Sequence, residues 1–368
     1  MMRFCTGILL ALALALPAST RAEAGPPVAI GTGAGEIPTL APILKKVTPS
    51  VVNIRIKGHV AQPQNSPLND PALRRFFGLP EQPAEQEIQA AGSGVVIDGH
   101  AGLIVTNNHV VEHAEEITIT FADGRQLTGQ RLGGDPETDI ALVKVEASDL
   151  TAIPFGDSDQ LEVGDFVIAI GNPFQIGQTA TSGIISGLQR GGLGIERYED
   201  FIQTDASINP GNSGGALVSL RGELIGINTA IVGPSGGNVG IGFAIPVNLA
   251  RGIVNQLLKY GDVRHGQLGF AMRDLTPDMV SKLALPETVA GAVITKVDPG
   301  SAAEHAGLKV GDVITALDRT AVRGATDLSA RIGLLRAGDE VELGVLRGKQ
   351  ALTVRARLAE RKRQVTEN

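Results

Sequence analysis

Asn209-Pro-Gly-Asn-Ser-Gly-Gly-Ala216 sets one serine among glycines, where the backbone has to turn sharply. Glycines let amide N–H groups converge on one point without interference from side chains. Such a turn can present a hydroxyl nucleophile and an oxyanion site together, with the N–H groups of Gly211 and Ser213 as the candidate donors. An ordinary Gly-rich hairpin has the same letters. A serine hydroxyl at its free pKa is a poor nucleophile, so a base is required. Of the six histidines, His109 stands in Thr106-Asn-Asn-His-Val-Val111, directly after the apolar run Leu103-Ile-Val105. A strand end of that kind can hold an imidazole at a cleft. Asp139, in Glu137-Thr-Asp-Ile-Ala-Leu-Val-Lys-Val145, heads a second apolar run. An unpaired carboxylate there is costly to bury, so a partner is expected, although a solvated turn after Gly133-Gly134-Asp135-Pro136 fits the same residue.

Two other chemistries share these patterns. Gly211-x-Ser213-x-Gly215 matches the nucleophile elbow of α/β-hydrolases, which needs a strand, the turn, then a helix, with the histidine last in the chain. Here the turn leads into Ala216-Leu-Val-Ser219, a Leu220-Arg-Gly222 turn and Glu223-Leu-Ile-Gly-Ile227, which is a β-hairpin. His109-Val-Val-Glu112-His113 matches a zinc-binding pattern that needs a sustained helix and a third ligand. One helical turn leads straight into the strand Ile117–Phe121 instead, so no metal and no cofactor is expected.

The elements around these residues are short. Val51–Ile56, Gly94–Ile97, Leu103–Val105, Ile117–Phe121, Ile140–Val145, Phe166–Ile170 and Leu224–Asn228 are β-branched segments cut by Gly, Asp and Asn. Helical periodicity is nearly absent before 246–260, so residues 25–260 read as an antiparallel β-barrel or sandwich domain closed by one helix. Residues 58–92 read as a long Pro/Gln-rich, strand-poor insertion. A second, smaller α+β unit spans 263–358, with strands at Ala292–Val297 and Val341–Leu346 and helices near 277–284 and 325–336. Residues 359–368 form a charged tail expected to be disordered. The whole is mostly β, and 368 residues suit two domains. With ten Phe, two Tyr and no Trp, the cores must be aliphatic and base-stacking platforms are lacking; a net charge of −7 argues the same way, so nucleic acid is not an expected partner.

At the start, Arg3, the apolar run Gly7–Leu16, Pro17 and Ala22-Glu23-Ala24 form an export signal over 1–24, with the mature chain beginning at Gly25. Ten apolar residues are too few to span a bilayer, so no stable membrane anchor is expected. The single cysteine, Cys5, lies inside this signal, so no disulfides are expected in the exported chain. Residues 25–38 read as a linker.

The chain order His109, Asp139, Ser213, each at a strand edge, is that of chymotrypsin-like proteases. Thr106-Asn-Asn-His-Val-Val111, Thr138-Asp-Ile-Ala-Leu-Val-Lys144, Gly171-Asn-Pro-Phe174, Phe201-Ile-Gln-Thr-Asp-Ala206, Asn209–Leu217 and Ile241-Gly-Phe-Ala-Ile-Pro246 resemble, nearly letter for letter, the HtrA/Deg family of exported serine proteases. The similarity covers about residues 37–358. It implies a chymotrypsin-like double β-barrel protease followed by a PDZ domain, usually assembled from trimers, with a His109-Asp139-Ser213 triad. It also implies an ATP-independent, periplasmic quality-control endoprotease acting on unfolded or misfolded proteins.

In chymotrypsin-like enzymes the residue six before the nucleophile lies at the base of the S1 pocket. Here it is Ser207, followed by Ile208; without an acid, a P1 Arg or Lys would bury an unpaired cation, so cleavage after small aliphatic residues is expected. Gly187–Gly194 reads as a mobile Gly-rich loop whose Arg190 matches a family residue sensing PDZ or substrate occupancy, with a plain surface arginine as the alternative. Gln175 departs from the family's usual Gly. The resemblance makes 58–92 an active-site cap anchored by Arg74-Arg75-Phe76-Phe77, with a disordered insertion as the alternative. Gln267-Leu-Gly-Phe270 would aim the amides of Leu268, Gly269 and Phe270 at a peptide's terminal carboxylate, the peptide adding as a strand. A competing function is a peptide-binding chaperone or scaffold with a resting serine site.

Overall fold

Twelve short strands close into two six-stranded antiparallel barrels. The first holds β1 (Val51–Ala61), β2 (Glu85–Asp98), β3 (Leu103–Thr106), β4 (Glu116–Thr120), β5 (Gln126–Asp135) and β6 (Ile140–Val145), in the order β1-β2-β3-β6-β5-β4. The second holds β7 (Phe166–Gly171), β8 (Thr179–Arg190), β9 (Phe201–Thr204), β10 (Ala216–Ser219), β11 (Leu224–Ile231) and β12 (Gly242–Pro246), in the order β10-β11-β12-β9-β8-β7. The computed structural model describes residues 39–61, 85–172, 177–231, 238–282, 285–286 and 288–360. The export signal over 1–24, the linker 25–38, Arg74–Phe77, Gln175 and residues 361–368 lie outside the described residues.

Three aliphatic cores result. Each barrel has its own, built on Ile54, Ile104, Ile119 and Val143 in the first and on Ile185, Ile202, Ile208 and Leu217 in the second. A third core lies between the barrels, where Val105 and Leu142 meet Ile170, Ala216 and Ile227. The helix Val247–Tyr260 packs its Leu249, Ile253, Val254 and Leu257 onto this third core and ends at Gly261, whose φ of 75° makes a left-handed cap. Among the described residues, no helix is long and apolar enough to cross a membrane.

The structure differs from the sequence reading in three places. Residues 58–61 and 85–92 are strand, paired without a break from Val51↔Val95 to Ala61↔Glu85. Their Gly, Ala and Gln residues carry little intrinsic strand preference, and cross-strand pairing overrides it. Gly58 is required there because a Cβ would lie 1.8 Å from the His113 carbonyl oxygen. Of the Gly-rich segment read as mobile over 187–194, residues 187–190 are the end of β8, where Arg190 folds back over Gly187 and donates Nε to Gln203 Oε1 at 2.8 Å, while 191–194 lie outside the strand. Ala359–Glu360, read as tail, forms β20 and pairs with β13 (Gly266–Gln267).

The second unit has a sheet in the order β14 (Phe270–Asp274), β15 (Ala292–Val297), β16 (Val313–Leu317), β18 (Glu340–Arg347), β19 (Gln350–Arg357), with β17 (Thr320–Ala321) paired to β16. Helices Pro277–Lys282, Ala302–His305 and Ala325–Leu334 accompany it. Leu268, Ile294, Ile314, Leu328 and Leu343 form its core.

His265 joins this unit to the first barrel. Its Nε2 meets the Asp135 carboxylate at 2.9 Å and its Nδ1 meets the Gly333 carbonyl, both side chains of the ion pair being about 5% exposed. Both partners only accept, so both ring nitrogens carry protons and the imidazole is a cation. Burial works against that charge, but the hydrogen bond and charge of Asp135, with the Gly333 carbonyl, outweigh it and hold the pKa above its ordinary value. A raised histidine pKa contributes stability that is fully present below the unfolded value of about 6.5 and is lost as pH rises through the folded value. His265→Gln should therefore destabilise the protein by about 3 kcal/mol near pH 6, by leaving Asp135 uncompensated, and by less at alkaline pH. Urea unfolding of both proteins at the two pH values checks this.

Candidate active site

The Asp139 carboxylate is 3% exposed and takes three hydrogen bonds. Oδ1 accepts from the His109 backbone N–H at 2.9 Å; Oδ2 accepts from His109 Nδ1 at 2.8 Å and from Thr229 Oγ1 at 2.9 Å. The turn that presents it is unusual, because Asp139 has φ of 56°, a left-handed conformation rare outside glycine. Its carbonyl is held by Asn108 N–H at 3.1 Å and Asn107 Nδ2 at 2.9 Å. His109 lies in the single helical turn Asn108–Val111 after β3, buried on its Val110 and Val111 side and exposed at the imidazole. An ionised carboxylate only accepts, so Nδ1 carries the proton and Nε2 is left as a base. Burial opposes protonation of His109, but Asp139, aided by Glu196 and Glu112, holds its pKa above the ordinary value.

Ser213 is carried by the tight turn before β10, and the first barrel clamps that turn. Ser93 of β2 donates Oγ to Gly211 O at 2.7 Å and its N–H to Ser213 O at 2.8 Å, and its own Oγ accepts from Asn172 N–H at 2.9 Å. Asn212 N–H bonds Asn209 O, Gly214 N–H bonds Asn228 O and Gly215 N–H bonds Asn212 O. Gly214 has φ of 82°, and a Cβ on it would lie 2.2 Å from Ser93 O. Among the described residues, the N–H groups of Gly211 and Ser213 have no acceptor, so both remain available to an oxyanion. The Ser213 hydroxyl donates to Thr229 O at 3.1 Å, and no hydrogen bond joins it to His109. The structure thus links His109 to Asp139 directly and Ser213 to Asp139 through Thr229.

Thr229, Ser93 and Glu196 escaped the sequence reading. Glu196 belongs to the segment between β8 and β9, whose backbone wraps the buried Glu199 carboxylate; Leu193, Ile195 and Glu196 all donate N–H to it, at 2.7, 2.6 and 3.2 Å. Burial, then the negative charge of Asp139, pushes Glu196 up to about 7, while His109 pulls the other way. A glutamate beside a histidine and an aspartate was the available signal, but it is silent until folding brings 196 to 109.

Ser207 and Ile208 precede the serine turn, and Asn212 of that turn donates Nδ2 to Ser207 O at 3.4 Å. Ser207 is half-buried, its carbonyl accepting from Thr181 Oγ1 at 2.8 Å. Ile208 is 1% exposed in the second barrel's core, against Gly242. Arg190 donates Nε to Gln203 Oε1. In the second unit, Leu268 O accepts from Ala303 N–H at 2.8 Å and Gly269 O from Asp298 N–H at 3.0 Å. Gly269 has φ of 76°, and among the described residues the N–H groups of Leu268 and Gly269 have no acceptor. No group of three or more His, Cys, Asp or Glu among the described residues could hold a metal ion.

Two barrels meeting at a His–Asp pair and a serine turn define a chymotrypsin-like serine protease, and the comparisons agree. Residues 92–227 match the trypsin-like peptidase domain family and residues 266–358 the PDZ domain family. The periplasmic pH-dependent serine endoprotease DegQ of Escherichia coli K12 is 46% identical over 356 residues, covering 96% of this chain and 77% of DegQ. The periplasmic serine endoprotease DegP of the same strain is 44% identical over 366 residues, covering 93% and 77%. Among solved structures, the HtrA-type protease AlgW with a decapeptide is 41% identical, with a TM-score of 0.65 over 88% of this chain and 99% of AlgW. A serine endoprotease from Yersinia pestis is 32% identical, with a TM-score of 0.56 over 89% and 100%. This chain belongs to the HtrA/Deg family of serine proteases, with one PDZ domain for peptide recognition.

Thr229→Val should lower kcat about tenfold with KM nearly unchanged, since it removes a charge-assisted bond to Asp139 without touching substrate, and Thr229→Ser should restore most of the loss. Steady-state kinetics on all three proteins reads this out. Glu196→Gln removes a charge that raises the His109 pKa, so the acid limb of the kcat/KM profile should move to lower pH.

Proposed function

We propose that Ser213, His109 and Asp139 carry peptide hydrolysis, as nucleophile, general base and orienting carboxylate. The observation that carries this is the protonated Nδ1 of His109 on a buried Asp139, which leaves Nε2 basic, beside a serine turn with two N–H groups that have no acceptor among the described residues. Rotation of the Ser213 hydroxyl from Thr229 O to His109 Nε2 primes it. Oγ then attacks the scissile carbonyl carbon as its proton passes to Nε2, and the Gly211 and Ser213 N–H groups receive the oxyanion. Collapse expels the amine, which takes the proton from His109, and water releases the acyl group by the same steps.

The remaining assignments belong to the same reading. Residues 25–260 form the protease domain and 263–358 the PDZ domain, after an export signal over 1–24 that delivers the chain to the periplasm, where DegQ and DegP are named as residing. The substrates are unfolded or misfolded proteins, cleaved without ATP after small aliphatic residues, because Ser207 offers no counter-charge to a P1 cation and Ile208 makes the surroundings apolar. Leu268, Gly269 and Phe270 bind a peptide's terminal carboxylate, Arg190 serves the regulatory loop, and the assembly is built from trimers. One observation favours the peptide-binding scaffold as a second reading, namely that the Ser213 hydroxyl rests on Thr229 and not on His109.

Casein turnover separates the two. Ser213→Ala should abolish cleavage, a loss of at least about a thousandfold, while retaining binding; cleavage that survives the substitution and yields to a chelator would overturn the serine mechanism. Peptides with Val at P1 should be cut faster than those with Arg.

A further inference from the structure

A cavity of about 270 Å³ opens on the PDZ domain, and the PDZ domain does not close it alone. One side is the loop Gly266–Phe270, with Met272 of β14 and Ile332 of the helix Ala325–Leu334 supplying apolar surface. The other side includes Arg197 and Tyr198, which belong to the protease domain. Their segment is well anchored. Glu199 collects three of its N–H groups, Tyr198 N–H donates to Glu137 O at 3.1 Å, and the buried Tyr198 ring lies 4.6 Å from His265 and against Gly333. Arg197 adjoins this anchored tyrosine, is exposed, lines the cavity, and among the described residues forms no ion pair with an acid. The acid that also lines the cavity, Asp298, forms an exposed ion pair with Lys296 at 2.6 Å.

We propose that Arg197 is a ligand-recognition residue of this cavity, a cation supplied by the protease domain for the terminal carboxylate of a peptide docked along β14. The inference rests on the carboxylate-binding reading of Leu268, Gly269 and Phe270 and adds to it. Backbone amides offer an anion only partial charges, whereas a guanidinium brings a full charge and several donors. Met272 and Ile332 favour an apolar last side chain, so the ligand is a chain ending in an apolar residue with a free carboxylate. The protease domain would then help to choose which chain ends the PDZ domain accepts.

The test uses the full chain carrying Ser213→Ala, so that peptide is not consumed, and a fluorescent decapeptide ending in valine, made with a free acid and with a terminal amide. Arg197→Ala should weaken the free acid about three- to tenfold by anisotropy, leave the amide unchanged, and show less dependence on salt; Arg197→Lys should recover most of the loss, and Arg197→Glu should deepen it. Thermal unfolding should be the same in all, since the side chain is exposed. If amidation weakens binding but Arg197→Ala does not, this proposal falls and the amide-loop reading stands. Equal losses for acid and amide also overturn it. If amidation costs nothing in the Ser213→Ala parent, the carboxylate-binding reading falls as well.

Discussion

A carboxylate withdrawn from water has to be met by donors, and at Asp139 those donors come from both barrels. The backbone and ring of His109 approach from the first barrel and the Thr229 hydroxyl from β11 of the second. The cost of leaving this charge unpartnered couples the seam between the barrels to the site that lies on it. The aliphatic core between the barrels supplies the packing that brings the seam together, while the carboxylate selects the alignment at which it closes. Ser93 repeats the device at the opposite side, with a residue of the first barrel holding the backbone of the serine turn that belongs to the second.

The same arrangement recurs four positions upstream. Asp135 and Asp139 bracket the turn between β5 and β6, and each is paired with a histidine: Asp139 with His109 at the serine site, Asp135 with His265 at the head of the PDZ domain. One short turn therefore carries contacts to the reacting groups on one side and to the second domain on the other. The segment between β8 and β9 lies beside this turn, with the Tyr198 N–H bonded to Glu137 O and its ring tilted against His265, and with Glu196 within electrostatic reach of His109. Burial and the negative charge of Asp139 push Glu196 up to about 7, so the charge it presents to His109 changes near neutrality.

Much of this was legible in the residues. Val51–Ile56, Ile140–Val145 and Ala216–Ser219 announce strands because β-branched runs bounded by turn formers have few other uses. The alternation of small and acidic residues at 133–139 does not, because Gly133 and Gly134 have no strand preference of their own. They are strand because they pair with β6, Gly133 opposite Leu142 and Gly134 opposite Ala141, and position 134 must be glycine because a Cβ there would lie 2.2 Å from Asn108 Oδ1. The same holds at 58–61, 85–92 and 187–190, where pairing with a distant strand decides a conformation that local propensity leaves open. Ile208, expected beside a substrate pocket, packs in the second barrel's core against Gly242, a neighbour that its local sequence does not announce.

The types of chemistry available were determined by the sequence itself: a lone serine in a turn only glycines allow, a histidine and an aspartate at strand ends, a mostly β chain with aliphatic interiors, and no disulfides to replace packing. Which groups serve one another was decided only by tertiary structure. Thr229 reaches Asp139 across 90 positions, Ser93 reaches Gly211 across 118, and His265 reaches Asp135 across 130. A threonine, a serine or a histidine in a strand or loop is chemically generic until closure of the barrels and docking of the second domain set it within 3 Å of a buried acceptor, and that proximity is a property of the packing, not of the local residue pattern.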